Sequence, residues 1–161
     1  MYSMWLSADE QRVWRGYLKM VSGLQGAMNR QLQQDCGLSL SDYEVLVVLS
    51  ERGPVRMYQI ADDLAWEQSR VSHQLRRMRD RGLVERHGSD VDRRGVTVEL
   101  SPAGRAALEL AAPGHAALVR GLVFDGMPPE SLRSLGALID TVLARLATSP
   151  PFATSPPFAP K

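Results

Sequence analysis

Six side chains that can donate hydrogen bonds to phosphate or to base edges crowd one short stretch: Ser69, Arg70, Ser72, His73, Arg76 and Arg77. Arginine can fork to guanine O6 and N7, and serine or histidine can bond base edges or phosphate. Val71, Leu75 and Met78 recur at i, i+4 and i+7 within the same stretch, so they share one helical face and leave the polar residues on the others. The spacing predicts a helix over 68–81, with Gly82 as a left-handed stop and Leu83 folding back as its apolar contact. Arg70 and His73 are the expected base readers. Ser69, Ser72, Arg76 and Arg77 are expected on phosphate, joined by backbone donors at the helix N-terminus.

A second cluster follows. Leu83 to His87 and Gly95 to Leu100 alternate or cluster apolar residues like two short strands. Between them lies a charged tip, Gly88 to Arg94, that contains Asp92, Arg93 and Arg94. Helix, glycine and hairpin with a basic tip outline a winged helix-turn-helix. From Gln68 to Arg94 there are eight arginines against four acids, a surplus of four positive charges. The whole chain carries only +1, so the remainder is −3. Positive charge gathered on one module is the footprint of a phosphate-binding surface.

The flanking elements must position that module. Ser7 to Glu10 forms a capping box for a first helix that reaches about Asp35. Val13, Trp14, Tyr17, Leu18, Val21, Leu24, Met28 and Leu32 give it an apolar stripe too broad for a lone surface helix. A second capping box, Ser41 to Glu44, opens a helix to about Glu51. A third helix spans 57–64, and Ala65 to Glu67 turns the chain tightly into the arginine-bearing helix, with Trp66 packed in the turn. This is the helix-turn-helix plan, whose second helix enters the major groove. Ser101 and Pro102 start a helix to about Phe124, with a kink or break expected near Ala112 because Pro113 removes a donor. A last helix opens at Pro128–Glu130 and carries leucines on one stripe. The hexapeptide TSPPFA then occurs twice, at 148–153 and 154–159, and predicts a disordered or extended tail.

The expected fold is mostly α with a small β-hairpin wing. Its parts are an N-terminal dimerisation helix (1–36), the winged module (37–101), C-terminal dimerisation helices (102–147) and the tail (148–161). Pairing the flanking stripes across a two-fold axis would bury them, which predicts a homodimer.

Other function classes fit poorly. His73, His87, His115 and Cys36 lack zinc spacing along the chain, and there is no glycine-rich phosphate loop or Gly-x-Ser-x-Gly elbow. No enzyme, metal or cofactor is expected. No run reads as long and apolar enough to span a bilayer, so a cytoplasmic protein without a membrane partner is expected. The single cysteine excludes an intramolecular disulfide framework.

Four stretches resemble the multiple antibiotic resistance regulator (MarR) family of bacterial transcription factors. They are LSDYEVLVVLSE (40–51), MYQIADDLAWEQSRVSHQLRRMRDRGLVER (57–86), DVDRRGVTVELSPAGR (90–105) and AAPGHAALVR (111–120). The most specific is Asp92-Arg93-Arg94-Gly95 followed by alternating valine and Leu-Ser-Pro-Ala-Gly. The resemblance implies a dimeric winged regulator on a palindromic operator of double-stranded DNA, often relieved of repression by a small ligand. It implies that Arg94 is the minor-groove residue and that Asp92 orients it; Arg93 is a second candidate. Where the first, second and fifth helices are expected to meet, Trp14, Tyr17, Tyr43 and His115 are candidate lining residues of a pocket, and the resemblance makes an aromatic or phenolic, often anionic, ligand plausible. The alternatives are a thiol-responsive regulator acting through Cys36, a ligand-independent activator, or a winged scaffold that binds only protein. A buried or incidental thiol is the plainer reading of Cys36, which lacks basic sequence neighbours.

Overall fold

The computed structural model describes residues 5–88 and 95–148. In chain order these form α1 (Ala8–Cys36), α2 (Leu40–Arg52), α3 (Met57–Leu64), α4 (Gln68–Asp80), β1 (Val84–His87), β2 (Thr97–Leu100), α5 (Pro102–Val119), a π-helical turn (Arg120–Phe124) and α6 (Pro129–Thr148). They divide at Val119 into two compact units. The architecture is the expected mostly helical one with an antiparallel two-stranded hairpin. Wing-tip residues 89–94 and tail residues 149–161 lie outside the described residues.

The first capping box forms as the sequence predicts: the Ser7 amide donates to Glu10 Oε2 at 2.7 Å and the Glu10 amide to Ser7 Oγ at 3.2 Å. The second does not form at Ser41–Glu44. It sits at Ser39 and Asp42, with Ser39 N to Asp42 Oδ2 at 2.8 Å and Asp42 N to Ser39 Oγ at 3.0 Å. Burial of Leu38 sets this register. Gly37 turns the chain at φ 67°, Leu38 enters the core, and Ser39 takes the extended geometry of an N-cap.

The core of the first unit collects Leu32 from α1, Val45, Leu46 and Leu49 from α2, Ile60 from α3, and Val71, Leu75 and Met78 from α4. The turn between α3 and α4 places Ala65 in left-handed geometry, φ 52°, and the Trp66 amide returns to the Ala61 carbonyl at 2.9 Å. Helix α4 ends as predicted: Gly82 has φ 72°, Leu83 is buried, and its amide reaches the Met78 carbonyl at 2.9 Å.

The hairpin pairs Val84 with Leu100, Glu85 with Glu99, Arg86 with Val98 and His87 with Thr97. Val55, in the α2–α3 link, bridges to Val98 as an added rung. Ser101 then ties the wing to α5: its hydroxyl donates to the Gly82 carbonyl and accepts from the Gly104 amide at 2.9 Å.

Of the kink or break expected near Ala112, the break does not occur: helix α5 continues through Pro113. Pro113 is exposed, so the helical carbonyl that loses its donor is not trapped in the core. Irregularity comes later, in the π turn. The 23-residue segment Pro102–Phe124 is also long and apolar enough, by length and composition, to cross a bilayer, contrary to the sequence reading. Much of its apolarity is alanine, and its α5 part packs on α1 and α2.

In the second unit α6 exposes Leu132, Leu138, Ile139, Leu143 and Leu146. Val13, Trp14, Tyr17, Leu18 and Met20 of α1 are likewise exposed in the first unit.

Candidate nucleic-acid interface

Helix α4 buries Val71, Gln74, Leu75 and Met78 and exposes Ser69, Arg70, His73, Arg76 and Arg77, with Ser72 half-buried. All six sequence-predicted residues of this helix therefore remain within reach of solvent. Its first turn carries no acidic residue, and the N-cap residue Glu67 makes no side-chain capping hydrogen bond, so the N-terminal amides are not tied up by a side chain.

Two of the arginines are held. The Arg70 guanidinium carbon lies 3.7 Å from the Trp66 ring centroid, a cation–π stack. Glu44 adds a charge partner: burial pushes its carboxyl above the usual carboxylate range, and Arg70 pulls it partly back. Arg77 Nη2 donates to Gln74 Oε1.

Gln74 is buried, and its Nε2 donates to Asp42 Oδ1 at 2.6 Å. The same Asp42 carboxylate accepts from Arg81 Nη1 at 2.7 Å, while Arg81 Nη2 reaches the Gly37 carbonyl at 3.0 Å. One buried carboxylate thus caps α2 and locks both the middle and the end of α4. Sequence reasoning missed this, because the partners lie 32 and 39 residues apart. A glutamine at a core-facing helix position was the one available signal.

Between α3, α4 and the hairpin runs a groove of about 800 Å³ whose lining includes Arg56, Tyr58, Ser72, Arg76, Arg79 and Arg86. Four arginines at one concavity focus positive potential. Arg56, Tyr58, Arg79 and Arg86 were not singled out from sequence. Arg79 follows Arg76 by one helical step of three and was legible, whereas Arg56 is brought in only by the fold. Asp92, Arg93 and Arg94 lie outside the described residues.

The four expected ligand-lining residues separate into two pairs. Tyr43 and His115 bring their ring centroids to 4.3 Å. Burial raises the Tyr43 hydroxyl pKa and lowers that of His115, whose Nδ1 is buried without a hydrogen-bond partner, as is Gln31 Oε1. Trp14 and Tyr17 stack on each other at 5.5 Å and are half exposed. Gln31, which abuts Gly114 next to His115, lies about 25 Å along α1 from Trp14 at 1.5 Å per residue. The two pairs therefore do not line one pocket within a single chain. Cys36 is half-buried, and its thiol donates to the Leu32 carbonyl at 3.1 Å, a structural contact.

A helix-turn-helix whose second helix presents arginines, followed by an antiparallel wing, defines a winged-helix DNA-binding protein. The MarR family model matches residues 38–96. An uncharacterized HTH-type transcriptional regulator of Bacillus subtilis, YfiV, is 30% identical over 133 residues, which is 81% of this chain and 80% of that protein. Among solved structures, Sco3205, a MarR family transcriptional regulator from Streptomyces coelicolor in complex with DNA, is 38% identical with a TM-score of 0.84, covering 91% of this chain and 93% of that one. AbsC, another MarR family regulator from Streptomyces coelicolor, is 34% identical with a TM-score of 0.83, covering 91% and 100%. The chain belongs to the MarR family of DNA-binding transcriptional regulators.

Proposed function

We propose that the protein is a homodimeric repressor that grips a palindromic operator with two winged modules and releases it when a small aromatic ligand binds. The observation that carries this reading is the arginine face of α4, held in register by Asp42 and continued into the groove beside the hairpin. Arg70 and His73 read base edges, while Ser69, Ser72, Arg76 and Arg77 hold phosphates. Arg94, oriented by Asp92 and assisted by Arg93, contacts the adjacent minor groove. The exposed apolar stripes of α1 and α6 are the dimer-forming surfaces, and Trp14 and Tyr17 belong to the former. Such a protein works in the cytoplasm, where its operator lies.

Tyr43, His115 and Gln31 form the ligand-responsive site. Two buried polar atoms lack partners: a ligand hydroxyl can donate to Gln31 Oε1, and a hydroxyl or carboxylate can accept from a protonated His115 Nδ1. A gel shift on the DNA upstream of the protein's own gene, repeated with simple phenolic acids, tests both halves. A shifted band dispersed by one of them supports the reading. A band that persists through millimolar phenolics removes the proposed ligand class, and no band at all removes the repressor.

A further inference from the structure

We infer that the outer face of the wing carries a site for a divalent transition-metal ion, with zinc as the expected occupant, held by Glu85, His87 and Glu99. The hairpin register sets Glu85 directly opposite Glu99, and His87 follows Glu85 by two residues on the same face of the ribbon. Their ligand atoms all lie within 4.8 Å of one another. His87 Nε2 is 2.5 Å from Glu99 Oε1 and 3.8 Å from Glu85 Oε2. One imidazole nitrogen and two carboxylate oxygens therefore converge on a point between the strands. Chain spacing alone could not show this, since Glu99 lies across the hairpin.

The donor set selects the metal. Magnesium and calcium take oxygen ligands, whereas imidazole with carboxylates suits zinc and its first-row neighbours. Three ligands on an open ribbon leave a coordination position for water. Two carboxylates facing each other across a strand pair repel, so a bound cation removes an existing conflict. The side chains of Glu85 and His87 are about half exposed, which gives the ion an entry path.

The site would act on the wing without blocking the groove. Val84, Arg86 and Val98 line the groove from the opposite face of the ribbon. A metal bridging His87 to Glu99 clamps the two strands at the step from which the tip at 89–94 departs. It also cancels two negative charges on a module whose partner is polyanionic, which favours DNA binding.

The test is zinc titration of the full-length, chelator-treated protein by calorimetry, without DNA. One zinc per chain is expected. His87→Asn and Glu99→Gln should each lower the affinity by about tenfold or more, as disturbed zinc coordination does. His73→Asn and His115→Asn should leave it unchanged, and magnesium should give no heat. Cobalt, used as a spectroscopic probe, should produce d–d bands that His87→Asn abolishes. The substitutions lie on an exposed ribbon, and circular dichroism checks that they fold. No zinc binding, or binding indifferent to His87→Asn and Glu99→Gln, overturns the site. Because this titration contains no DNA, its failure is separate from any failure of the operator reading. In a second arm, zinc should tighten binding to operator DNA in the parent protein and not in His87→Asn.

Discussion

Asp42 Oδ1 accepts a hydrogen bond from Gln74 Nε2 at 2.6 Å across the buried contact between α2 and α4. This fixes how α4 is rotated, because Gln74 also holds Arg77 and Asp42 also holds Arg81. Replacing Asp42 with alanine strands a buried amide and removes the carboxylate from Arg81. Unfolding in urea should show a loss of about 2–3 kcal/mol, from an unsatisfied buried group and a broken charge-assisted bond. Gln74→Leu strands the buried Asp42 Oδ1, so it should cost the fold about 1–3 kcal/mol, and because it also frees Arg77 it should weaken DNA binding by more than that loss. Equal losses in both measurements would assign Gln74 a purely structural role.

Arg70 is stacked on Trp66, so its guanidinium is already restrained before it makes the base contact proposed for it. Arg70→Ala should cost about 1–3 kcal/mol of operator affinity and relax preference at one base position. Trp66→Leu should cost less, about 0.5–1 kcal/mol, by removing the stack. A panel of single-base operator variants reads both. A loss spread evenly over the panel makes Arg70 a phosphate contact.

Gly104 and Gly16 form a contrasting pair. A Cβ on Gly104 would lie 1.9 Å from the Leu83 carbonyl oxygen, whereas one on Gly16 meets nothing within 4 Å. Gly104→Ala should destabilise by about 1–3 kcal/mol, since backbone must move. Gly16→Ala should stabilise by roughly 0.5–1 kcal/mol, because alanine costs less entropy in a helix. Thermal melts of the two variants should shift in opposite directions; a neutral Gly104→Ala would mean α5 does not pack this closely on the hairpin.

Burial holds His115 below its ordinary pKa of 6.5, so the fold favours the neutral imidazole. Its contribution is present above that value and is lost as pH falls through the lower folded-state pKa. Melting temperature should therefore drop on acidification from pH 7.5, and His115→Gln should flatten that dependence. An unchanged slope in the variant would show that His115 stays neutral or hydrated throughout.

The helices, the arginine face and the hairpin were legible because each rests on local signals: apolar spacing for α4, glycine at 82, alternation across 97–100. What was hidden depends on contacts between distant segments. The α2 capping box shifted from Ser41 to Ser39 because Leu38 is drawn into the core, which no local pattern prices in. Pro113 does not end α5, and its exposed setting is a tertiary fact. Asp42–Gln74, the place of Arg56 at the groove and the convergence of Glu85, His87 and Glu99 all need the fold before they exist. Trp14 and Tyr43 looked alike as aromatics near helix faces, yet the length of α1 keeps them apart.

The central claim is that two copies of this chain hold a duplex by the arginine faces of α4 and their wings. Fluorescence anisotropy of a labelled upstream duplex, titrated with protein over a series of salt concentrations, tests it most directly. The account predicts two chains per duplex and a log affinity that falls steeply and linearly with log salt, with a shallower slope for Arg76→Ala. Binding by single chains, or an affinity indifferent to salt, would contradict it.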